Sequence, residues 1–177
     1  MSRSPFALTA LTSLALALSL SACESPEPGE DAAKAQAAAP AELHAPTTPD
    51  DKLWVPYLQQ VVSRNMAGVT DRVSPYYLPA DSDEPTPDDP DGRSKYDRQL
   101  ENVATVVSRT VLPGNMLAFG SPNSTRMADL IVAAFQGGAP DALQGSQVLF
   151  IGKAEDSPRV KAAVEAVGAK YIFVEAK

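Results

Sequence analysis

The stretch FGSPNST, residues 119–125, gathers the groups that a small anion needs. Ser121, Asn123, Ser124 and Thr125 supply hydroxyls and an amide. The apolar-periodic run after them predicts a helix, whose first N–H groups also attract negative charge. A second turn, GKAEDSP at 152–158, carries Lys153, Glu155 and Asp156. If the two turns lie side by side, Lys153 adds a cation to the hydroxyls of Ser121 and Ser124. Helix capping explains Ser and Asn at such a turn equally well. The chain lacks GxGxxG and GxxxxGK[ST] here, so nucleotide phosphate has no motif support.

Other chemistry finds little to work with. The chain has one histidine, His44, and one cysteine, Cys23. Both precede the segment that reads as folded, so serine–histidine and cysteine–histidine catalysis lack a partner. Zinc lacks ligands for the same reason. Carboxylate-pair hydrolysis stays open, because spacing in sequence does not fix distance in the fold. The expectation is a protein that is not an enzyme, with no cofactor and no metal site. Loop 79–93, with four prolines and six acidic residues, invites a calcium test. Placing Gly92 at the sixth position of an EF-hand loop puts Asp89 third and Asp91 fifth. It also puts Pro87 first and Arg98 twelfth, where the pattern needs Asp and Glu. The EF-hand reading fails, and a solvated acidic loop is expected.

Cys23 has a different context. The chain starts MSRSP, with Arg3 the only charge before the cysteine, and continues FALTALTSLALALSL. A short positive start, an apolar stretch and small residues at the end are the layout of a secretory signal. The run is too short and too often interrupted by Thr and Ser for a spanning helix, which takes about 20 apolar residues. Leu20-Ser21-Ala22-Cys23 resembles the lipobox of bacterial lipoproteins: an aliphatic residue, two small ones, then the modified cysteine. The resemblance covers the first two dozen residues. It implies a signal peptide at 1–22, a diacylglyceryl group on the Cys23 thiol, cleavage before Cys23, and acylation of its amine, a palmitate-type anchor. Glu24 rather than Asp after the cysteine implies the outer membrane, facing the periplasm. One acyl chain holds marginally, at about 0.8 kcal/mol per buried CH₂, and two or more hold stably.

Loss of residues 1–22 removes Arg3 and no acidic residue, taking the net charge from −7 to −8. That sign disfavours nucleic acid, whose affinity rests on Lys and Arg. It also gives no attraction to anionic headgroups. The expected membrane contact is the lipid anchor alone.

These groups need elements to hold them. Residues 23–50, with five prolines and an alanine-rich acidic middle, read as a disordered tether. Residues 51–177 read as one α/β domain. Asp50 or Asp51 starts a helix with Leu53, Trp54, Tyr57, Leu58, Val61 and Val62 at helical spacing; Pro56 fits only in its first turn. The segment from Val73 to the end of the acidic loop reads as loop. Ser94 caps a second helix bearing Tyr96, Leu100, Val103, Ala104 and Val107. Then come an apolar run at 115–121, a helix ending at Gly137, an apolar run at 147–152, a helix with Asp156 or Ser157 as cap and Pro158 at its first position, and a closing strand in KYIFVEAK. Strand–helix alternation predicts a small three-stranded parallel sheet, βαβαβ and half-Rossmann-like, with two additional N-terminal helices.

Two functions fit this outline. The first is a membrane-tethered interaction module that binds another envelope protein. The second is a small-ligand or anion-sensing domain that uses the strand ends near Ser121 and Lys153. An exposed apolar patch favours the first, and a concave polar pocket at Ser121 favours the second. The sequence carries no signal for oligomeric state.

Overall fold

A computed structural model describes residues 42–177. Residues 1–41, which hold the expected signal peptide, Cys23 and most of the expected tether, lie outside the described residues. The order of elements is α1 (Asp51–Arg64), β1 (Val73–Tyr77), α2 (Lys95–Ser108), β2 (Met116–Gly120), α3 (Ser124–Phe135), β3 (Gln147–Gly152), α4 (Ser157–Ala166) and β4 (Lys170–Glu175). All strand pairs are parallel, and the sheet order is β1-β2-β3-β4. The α/β class and the parallel sheet agree with the sequence reading. The sheet has four strands, not three, because VSPYY is a strand and not part of the loop.

Hydrogen-bond parity explains how a proline sits in β1. Met116 N–H donates to Arg72 O, and Leu78 N–H donates to Gly120 O. Even-numbered residues of β1 therefore face β2, and Val73, Pro75 and Tyr77 turn their backbone groups outward. Pro75 has no N–H to give, and none is wanted on the inner side. On the outer side its missing donor blunts the edge.

The strand order advances in one direction, so α2, α3 and α4 all cross the same face. Leu117, Phe119, Val148 and Phe150 meet those three helices in one fully buried cluster. Alternate residues, Met116, Ala118, Leu149 and Ile151, point to the other face, where α1 packs with Trp54, Tyr57, Leu58 and Val61. One helix thus covers a face of four strands. Leu53 of α1 is not on that packed side; it is 52% exposed. Pro56 lies in the second turn of α1 rather than the first. The carbonyl it leaves unbonded belongs to Lys52, which is exposed and open to water.

Caps follow the sequence closely elsewhere. Asp50 caps α1, and Ser94 with Asp97 forms a capping box on α2. Residues 43–48 lie against the domain. Ala45 N–H donates to Lys177 O at 2.6 Å, the Trp54 indole donates to Thr48 O at 2.9 Å, and Leu43 packs on the α1 side of the sheet. His44 is exposed.

Loop 79–93 is pinned by cations. Lys95 holds Asp81, Arg126 holds Asp83, and Arg93 and Arg98 flank the enclosed carboxylate of Asp89. Arg126 also lies 3.4 Å from the ring centre of Tyr96. Among the described residues no cluster of three or more His, Cys, Asp or Glu is arranged to hold a metal.

Candidate functional site

The two turns singled out in the sequence do meet at the carboxyl ends of β2 and β3. Ser124 is the link. Its hydroxyl donates to Asp156 at 2.7 Å and accepts from the Lys153 N–H at 2.8 Å. Gly152 permits this approach, because a Cβ there would lie 2.6 Å from Ser124 Oγ. Thr125 adds a bond to the same Asp156 oxygen at 3.3 Å. The other Asp156 oxygen takes the Arg159 guanidinium at 2.8 Å, and Arg159 also pairs with Asp129. Burial opposes ionisation of Asp156. The Ser124 and Arg159 bonds outweigh it and hold the carboxyl below its usual range. Asp156 sits at the cap position of α4 but makes no side-chain cap bond, because its carboxylate is committed to this network.

Ser121 is buried, and its hydroxyl accepts the Asn123 N–H at 3.0 Å. Asn123 is exposed and caps α3 through the Arg126 N–H at 3.1 Å. A cleft of about 230 Å³ gathers Ser121, Ser124 and Lys153 with Trp54 and Lys177. Asn123 is not in its wall. The Lys153 ammonium stands 3.8 Å from Glu155, and the Lys177 ammonium 2.8 Å from Glu175. Of the groups expected to hold an anion, most are engaged with the protein itself. The order β1-β2-β3-β4 also contains no reversal, and a reversal is what opens the ligand crevice of doubly wound sheets.

A second surface had no signal in the sequence reading. An apolar groove of about 400 Å³ runs between α1 and β1. Val55, Leu58 and Val62 form one wall, and Val73, Pro75 and Tyr77 form the other. These are the outward-bonding residues of β1, which share one face through the period of two. The floor includes Gly120, where a Cβ would meet Leu58 at 2.4 Å, so the glycine sets how closely α1 can approach. Val55 is 37% exposed at the rim. Tyr77 closes one end by donating to Asp51 at 2.6 Å; burial, then that bond, pushes its phenol far up. Finding the groove from sequence requires recognising β1 first, and Pro75 conceals it.

No helix among the described residues is long and apolar enough to cross a membrane. No protein-family model, no curated protein and no solved structure matches the chain.

Proposed function

We infer that the chain is a lipid-anchored envelope lipoprotein, periplasm-facing on the outer membrane, whose α/β domain binds a partner protein. The observation that carries the binding half is the groove between α1 and β1. It is lined by aliphatic side chains and one tyrosine, and it opens on a sheet face that a single helix only partly covers. The anchoring half rests on the lipobox at Leu20–Cys23. Pro75 removes the central donor of the β1 edge, so the partner does not add a strand there. It inserts apolar side chains into the groove, as an amphipathic segment does.

The alternative, an anion sensor at the Ser121 turn, has less support. Its cleft brings Ser121, Ser124 and Lys153 together, but the one O–H that Ser124 could offer an anion is already donated to Asp156.

The test is an affinity pull-down from detergent-solubilised envelope membranes, read by mass spectrometry. Wild type, Val55→Glu and Ser121→Ala are compared. A stoichiometric protein lost with Val55→Glu and kept with Ser121→Ala is the expected result. Equal recovery with all three, in chains that melt alike, would remove the groove from consideration.

A further inference from the structure

The two edges of the sheet are built differently. β1 is interrupted by Pro75. β4, KYIFVE, has neither proline nor bulge, and its four central residues, Tyr171 to Val174, are all half-buried. Tyr171 and Phe173 lean toward the α2–α4 core, and Ile172 and Val174 toward the α1 core. An apolar edge strand of this kind is a template for pairing.

Its free hydrogen-bonding groups can be located. Lys170 N–H donates to Ser146 O and Ala176 N–H to Gly152 O, so even-numbered residues face β3. Tyr171, Phe173 and Glu175 turn their N–H and C=O groups outward, and no described residue meets them. The series stops at both ends. Ala169 N–H is taken by Val164 O, and Lys177 O is taken by Ala45 N–H. What remains open is three residues, symmetric about Phe173.

We propose that β4 pairs with β4 of a second copy of this chain, antiparallel, across a two-fold axis at Phe173. In that register Tyr171 faces Glu175, Phe173 faces Phe173, and Ile172 faces Val174. Each outward-facing pair exchanges two backbone bonds, roughly six in all, and every open group is satisfied. A two-fold contact needs a self-complementary patch, and this one is. The neighbouring register, centred on Ile172, would set Glu175 against Ala169, whose N–H is already committed. The antiparallel sense sets Lys170 of one copy opposite the uncharged Ala176 of the other, whereas a parallel sense stacks lysine on lysine. Pairing covers the exposed flanks of Ile172, Val174, Tyr171 and Phe173 on both faces, extending both cores into an eight-stranded sheet. This surface lies at the opposite edge from the α1–β1 groove, and its occupancy is measured on the chain alone.

Sedimentation velocity of the full chain in detergent micelles tests it. Wild type should be a dimer at micromolar concentration. Phe173→Pro should lose the dimer, since it removes an outward donor and no bond to β3. Phe173→Lys, which keeps the backbone and sets like charges on the axis, should lose it too. In a Cys23→Ser background, Phe173→Cys should form a disulfide-linked dimer, because Cα atoms of a hydrogen-bonded antiparallel pair lie about 5.5 Å apart, within disulfide range. Val174→Cys, which faces Ile172, should not. A monomeric wild type, a dimer that survives in both folded Phe173 variants, or Val174→Cys linking better than Phe173→Cys would each overturn the proposal. So would a monomeric chain that recovers a different protein's strand on β4.

Discussion

Ser124 and Asp156 show what a strand-end hydroxyl does in this fold. They are 32 residues apart in sequence, and their bond joins the β2–α3 turn to the β3–α4 turn. Ser124→Ala deletes one donor and one acceptor at once, leaving the Lys153 N–H and an Asp156 oxygen short of partners. The expected loss is about 1–3 kcal/mol, read from the urea midpoint. If Ser124 were instead a ligand group, stability would hardly change. The Asp156 carboxyl lies below its ordinary range when folded, because its hydrogen bonds from Ser124 and Arg159 outweigh the cost of burial. A depressed folded value means stabilisation that is complete above the unfolded value and is lost as pH falls through the folded one. Stability should therefore decline below about pH 4, and Asp156→Asn should flatten that acid limb while lowering the plateau at neutral pH. The sequence made Ser124 and Lys153 conspicuous by residue type and placed them at the same end of the sheet. It could not show that the hydroxyl is spent, because the groups that spend it come from a turn whose distance no local pattern encodes.

Among the elements, the helices and the strands β2, β3 and β4 were legible, and the edge strand β1 was not. β3 is found where its apolar run predicts, since a strand buried on both faces needs no alternation. α2 begins at Ser94 because Ser94 and Asp97 satisfy each other's backbone N–H groups. β1 was hidden because two signals spoke against it, a proline inside and four prolines with an acidic run just beyond, and its half-buried side chains left no unbroken apolar run. Each is a property of an edge. The end of α2 carries a conformation that its residue type does not announce. Thr110 follows the C-cap Arg109 with φ of 69°, a left-handed conformation that glycine adopts freely and a β-branched residue does not. Thr110 is exposed and makes only a long backbone bond to Val107 O at 3.5 Å. Thr110→Gly should therefore stabilise the domain, by about 1 kcal/mol, and raise the melting temperature. A lower melting temperature would mean that the threonine side chain contributes something its contacts do not reveal.

For the molecule as a whole, charge and anchoring are coupled. A chain at net −7, or −8 once residues 1–22 are gone, is repelled by anionic headgroups. The described residues provide no helix able to cross a bilayer. On the proposed reading, residence at a membrane comes from a lipid on Cys23, and it should show the signature of a hydrophobic rather than an electrostatic attachment. Wild type should pellet with membranes, stay there through a high-salt wash, and be released by detergent. Salt screens surface charge within a Debye length of about 10 Å at 0.1 M and leaves buried acyl chains unaffected. Cys23→Ser should leave a larger, unprocessed precursor that incorporates no labelled fatty acid. Release of the wild-type chain by salt alone would place its attachment on a protein receptor. Normal processing of Cys23→Ser would assign residues 1–22 to an ordinary secretory signal. In that second case the apolar groove and the open β4 edge would act from a freely diffusing chain, not one confined to a surface where two copies meet more often.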